Sequence, residues 1–101
     1  MVKTTIGNRV VYTKRGRSFR GTVKDEVSLL EKSEDEDFLD LVQYIQWDDG
    51  DYGIRFCYYV RTQGSSDQDW IFANRPLSTS PERVEELLRK ALKKKWFGNL
   101  Y

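Results

Sequence analysis

At 101 residues, 39% of them hydrophobic and 33% charged, the chain holds one domain with a single modest core. One cysteine and no histidine exclude an intramolecular disulfide and argue against zinc or His-based acid–base catalysis. The net charge of +1 conceals a strong segregation: Met1 to Lys24 carries seven bases and no acid, Asp25 to Asp51 carries eleven acids against Lys32 alone, and the chain turns basic again from Pro81. Such a layout steers charged partners and points to a binding module rather than a catalyst.

Asn8 to Thr13 reads as a β-branched strand, and Lys14-Arg15-Gly16-Arg17 as a basic turn. Ser18 to Lys24 alternates, with Phe19, Gly21 and Val23 on one face and Arg20, Thr22 and Lys24 on the other. Glu31 to Asp37 has no apolar residue and reads as an exposed, mobile acidic loop. Phe38 to Trp47 is a longer strand, with Leu39, Leu41, Ile45 and Trp47 on one face and Val42 and Tyr44 on the other. The Asp49-Gly50 pair after it predicts a two-residue turn with positive φ at both central positions. Tyr52 to Thr62 alternates most cleanly. Its Tyr52, Ile54, Phe56, Tyr58 and Val60 face is expected to be core, and its Arg55, Cys57, Tyr59 and Arg61 face to meet solvent.

Gln63 to Gln68 is a polar turn, Asp69 to Asn74 a short strand, and Arg75 to Thr79 a connection. The helix that follows has Ser80 as N-cap, Pro81 at its first position, Lys93 to Lys95 in its last turn and Gly98 as cap. Val84, Leu87, Leu88, Ala91 and Leu92 form one apolar stripe expected to dock on the rest of the fold or on a second copy. The whole is a mainly β protein. A small five-stranded antiparallel barrel spans residues 1 to 80, and a C-terminal amphipathic helix, 81 to 97, packs on it within a single domain. A flat antiparallel sheet with the helix across one face is the alternative.

The stretches Gly7-Asn8-Arg9-Val10-Val11-Tyr12 and Phe19-Arg20-Gly21-Thr22-Val23-Lys24 resemble the first strands of SH3-like barrels of the Tudor and chromo-barrel type. Val42-Gln43-Tyr44-Ile45-Gln46-Trp47, followed by Asp69-Trp70-Ile71, is similar to that family's spaced aromatics, so the resemblance covers roughly residues 7 to 77. It implies an SH3-like barrel and, as a minor option, an aromatic cage of Tyr12, Tyr44, Trp47 and Trp70 around a methylated lysine.

Chemistry beyond binding finds little footing. Cys57 lies mid-strand without a His partner, where a half-buried small hydrophobe is the common outcome. Asp48, Asp49 and Asp51 open like a calcium loop, but no Glu follows at the twelfth position, so the turn prevails. No catalytic residue, metal or cofactor is expected. The favoured function is nucleic-acid binding by Arg15, Arg17, Arg20 and Lys24 on the first hairpin and by Arg55, Tyr59 and Arg61 on the later strand, arginines meeting phosphates and Tyr59 stacking on a base. The alternative is a protein-interaction adaptor using the acidic loop or an aromatic groove. A monomer, or a homodimer through the helix, is expected. No run reaches the length and apolarity of a membrane span, and the N-terminus lacks a secretory core, so a reducing cytoplasmic setting is the expectation.

Overall fold

A computed structural model describes residues 4–73 and 75–97. Five strands, β1 (Arg9–Lys14), β2 (Arg17–Lys32), β3 (Glu36–Trp47), β4 (Tyr52–Thr62) and β5 (Ile71–Phe72), precede one helix, α1 (Pro81–Leu92). They form an antiparallel meander in the order β1-β2-β3-β4-β5 that curls into a half-barrel, an architecture compatible with an SH3-like barrel.

The curl originates in β2. Its register to β3 shifts between Val23 and Asp25, leaving Lys24 as an extra, exposed residue. A bulge bends its strand and reverses the alternation beyond it. Gly21 and Val23 therefore face inward before the bulge, whereas Val27 and Leu29 face outward beyond it, toward the helix.

The central strand β3 is covered on both sides. Leu39 and Leu41 pack inside with Cys57 and Trp70, and Ile45 packs inside with Val10 and Val23. On the outer side Val42 joins Val27 and Leu29 under Leu87 and Ala91 of the helix. Arg83 ties the helix to the buried carboxylate of Asp40 at 2.8 Å, and Lys90 donates to the Ser28 carbonyl at 2.8 Å. Ser80 accepts from the Arg83 amide as the expected N-cap, and Pro81 opens the helix. Lys93 is the C-cap, so Lys94 and Lys95 lie past the helix, and the capping expected of Gly98 falls outside the described residues.

Three expectations are corrected. The acidic run is no loose loop: β2 continues to Lys32 and β3 starts at Glu36, leaving only Ser33 to Asp35 as the turn. The turn at Asp48 to Asp51 has positive φ only at Gly50, with the Gly50 amide donating to the Trp47 carbonyl at 2.9 Å, as in a three-residue loop closed by a bulge. It is the first hairpin that uses the two-residue form, with φ of 51° at Arg15 and 75° at Gly16. The final strand spans only Ile71–Phe72, the chain before it forms a 3-10 turn at Asp67–Asp69, and Asn74 lies outside the described residues.

The helix also docks through fewer residues than its stripe contains. Leu87 and Ala91 are buried, while Val84, Leu88 and Leu92 keep 38%, 40% and 43% of their surface. Arg83 and Lys90 fasten the opposite flank to β2 and β3, rotating this side of the stripe off the sheet. Leu87→Asp is accordingly expected to unfold the protein, since it buries a charge with no partner. Leu88→Asp should stay within about 1 kcal/mol of the parent in a urea melt. Equal losses at both positions would place Leu88 in the core after all.

Candidate nucleic-acid interface

The two-residue turn at Arg15 and Gly16 fixes the register of the first hairpin, pairing Tyr12 with Phe19 and Lys14 with Arg17. These four side chains project to the inner side, continuing outward from the buried Val10. Tyr12 and Phe19, 46% and 36% exposed, hold their rings 6.3 Å apart, and Phe19 meets Trp47 edge-on at 6.4 Å. Trp47 is seated over backbone that only glycine permits: a Cβ at Gly21 would lie 2.9 Å from its ring, and one at Gly53 2.6 Å from its Nε1. The result is a ladder of three rings running from the core edge to the hairpin tip.

Lys14, Arg15 and Arg17 surround the end of this ladder, all exposed and, among the described residues, without an ion pair. Arg20 belongs to the opposite side of the hairpin, since it pairs with Val11. There Arg9 grips Asp48 with two hydrogen bonds, at 2.8 and 2.7 Å, and holds that carboxyl below the usual range, with Arg20 adding a weaker pull. Lys24 stands on the bulge, exposed and apart from the ladder.

The face of β4 expected to meet solvent points inward instead. Cys57 is buried between Leu39, Leu41 and Trp70, and burial pushes its thiol up to about 11, with Arg55 pulling the other way. Arg61 gives its Nε to the buried Asp37 at 3.0 Å, reaches Asp67 at 2.8 Å and lies over the Trp70 ring at 4.3 Å. Arg55 donates to Gln43 Oε1 at 2.8 Å and stacks on Phe72 at 5.0 Å. Tyr59 meets the edge of Phe72 at 5.5 Å, half-buried, and burial raises its phenol. Arg55, Tyr59 and Arg61 thus line the interior of the half-barrel, and their aliphatic stems and rings serve as packing. The opposite face, with Tyr52, Ile54 and Phe56, is the exposed one, because the helix covers β2 and β3 but not β4.

The aromatic cage does not converge. Tyr44 lies on the outer side, stacked between Tyr52 at 4.8 Å and Trp96 at 5.3 Å. Trp70 is buried beneath Arg61, and only Tyr12 and Trp47 share a surface. Phe19 links those two and escaped the sequence reading of the site. Its signal is its position directly opposite Tyr12 once the hairpin is given a two-residue turn.

No family model, no curated protein and no solved structure matches this chain. No helix among the described residues is long and apolar enough to cross a membrane.

Proposed function

We propose that the chain is a binding module for single-stranded nucleic acid that works through the β1–β2 hairpin rather than through β4. The observation that carries this reading is the exposed Tyr12–Phe19–Trp47 ladder, flanked on its own face by the unpaired Lys14 and Arg17 and at its tip by Arg15. Unstacked bases find ring faces there, and the phosphates on either side find cations that owe nothing to a carboxylate. A duplex, whose bases are already stacked, gains only the cationic part. Arg20 and Lys24 add long-range attraction from the back of the hairpin and the bulge. Arg55, Tyr59 and Arg61 contribute by shaping the half-barrel. A Tudor-type cage has less support, since two of its four rings lie elsewhere.

Fluorescence anisotropy of a labelled oligothymidylate across a salt series tests this. Arg15→Ala with Arg17→Ala should weaken binding and flatten the salt slope by about 1.4, the figure for two phosphate contacts on a single strand. Tyr12→Ala and Phe19→Ala should each remove about 1–3 kcal/mol for single strands and far less for a duplex. No detectable binding by the parent protein at low salt would end the nucleic-acid reading and favour the protein-interaction adaptor.

A further inference from the structure

The half-barrel does not close. Among the described residues β1 pairs only with β2 and β5 only with β4, so each presents an unpaired edge. The two edges border the same cavities. One, of about 530 Å³, lies between Val11, Thr13, Arg55, Phe72 and Arg75. Its neighbour, of about 240 Å³, lies between Asn8, Val10, Gln43, Arg55 and Phe72.

The hydrogen-bond phase of both edges is fixed. A two-residue hairpin makes Lys14 and Arg17 a bonded pair, so Tyr12 and Val10 also bond to β2 while Val11 and Thr13 do not. The Asn8 carbonyl, accepting from the Val23 amide at 3.0 Å, confirms this phase. The N–H and C=O of Val11 and Thr13 therefore point into the seam. On the other side the Ala73 amide donates to the Tyr58 carbonyl at 3.0 Å, which directs the polar groups of Phe72 away from β4 and toward the same seam.

The side chains along the seam alternate in character. Inward lies Arg55, held by Gln43 and Phe72, and among the described residues no acidic side chain lines either cavity. Outward lie Val11 and Phe56, which both border the larger cavity, at 58% and 48% exposure. We propose that the seam receives an extended peptide segment alternating acidic and apolar side chains, added as a strand between β1 and β5. Its carboxylates would enter toward Arg55 and Arg75, and its apolar side chains would extend the surface of Val11 and Phe56. A polynucleotide offers no amide edge to match these strands, so the main-chain groups favour a peptide.

The test is an amide-resolved NMR titration of the full chain with a blocked synthetic peptide of alternating valine and glutamate. Shifts should concentrate at Val11, Thr13 and Phe72, and the valine–lysine counterpart should leave them unmoved. Val11→Pro removes a seam-facing donor without touching the β1–β2 ladder, and Arg55→Gln removes the inward charge; each should weaken binding about tenfold. Should Arg55→Gln fail to fold, Val11→Pro decides alone. Unmoved seam amides, equal binding of the lysine peptide, unweakened binding by Val11→Pro, or oligothymidylate displacing the peptide from those amides would each overturn the proposal. That outcome is separable from the hairpin reading, whose signals lie at Tyr12, Phe19 and Arg15.

Discussion

Deleting Glu31 to Asp37 is expected to abolish cooperative folding. The segment contains no apolar residue, yet it supplies the end rungs of the longest hairpin, Glu31 opposite Phe38 and Lys32 opposite Asp37. On its other side Glu36 and Asp37 pair with Thr62 and Arg61 of β4. Removing it therefore takes rungs from β2, β3 and β4 at once, and takes from Arg61 the buried one of its two carboxylate partners, leaving only the exposed Asp67. The charge of the turn itself is dispensable. Glu34→Gln with Asp35→Asn should melt with the parent, because the Asp35 group that matters is its carbonyl, which accepts from the Gln63 amide at 3.0 Å. Far-ultraviolet circular dichroism through a thermal scan separates the two variants. A deletion that melts sharply near the parent midpoint would return the segment to the status of a loop.

Arg61→Ala should cost about 3–5 kcal/mol, the range for breaking a buried ion pair from one side. Asp37 is 1% exposed and already has one carboxylate oxygen without a partner. Loss of the guanidinium strands the other oxygen with only the Gly64 amide, at 3.4 Å. The Trp70 ring loses its cation as well, a further contribution of about 0.5–2 kcal/mol. Replacing both partners, Asp37→Asn with Arg61→Met, should cost less than the two single changes added together, since neither then strands a charge. Urea melts of the four proteins give the coupling. A loss under about 1 kcal/mol for Arg61→Ala would place Arg61 at a working surface instead of in the interior.

The inverted side of β4 shows where sequence patterning succeeds and where it stops. Period-two alternation correctly separates Arg55, Cys57, Tyr59 and Arg61 from Tyr52, Ile54, Phe56, Tyr58 and Val60. Hydrophobicity then assigns the second set to the core, and the structure does the reverse. Two distant residues decide it. Trp70 arrives from beyond the strand to lie beneath Arg61, and Asp37, from the acidic run, pairs with it. Neither partnership has a local signature. The helix tells a similar story: its stripe and caps are legible from spacing, but Arg83 and Lys90 choose which edge of the stripe meets the sheet. The strand Asp25 to Lys32 stayed hidden because the bulge at Lys24 breaks the alternation on which the reading depends. Of the candidate interface, the basic turn of Lys14, Arg15 and Arg17 was legible, whereas Arg20 and Lys24 stand apart from it and the aromatic ladder needed the register that positive φ at Arg15 imposes.

Because every strand bonds only to its neighbour along the chain, the sheet can grow by successive hairpin closures of short span, a topology that favours rapid folding for a β protein. The longest closure among the described elements is the return of the helix to Val27 and Leu29 across all the intervening strands. Docking of the helix is therefore expected to be the step that topology slows, and its release a partial opening distinct from that of the sheet. Trp96, stacked on Tyr44 and hydrogen-bonded to Asp25 at 3.0 Å, sits where its fluorescence reports that event separately from formation of the sheet.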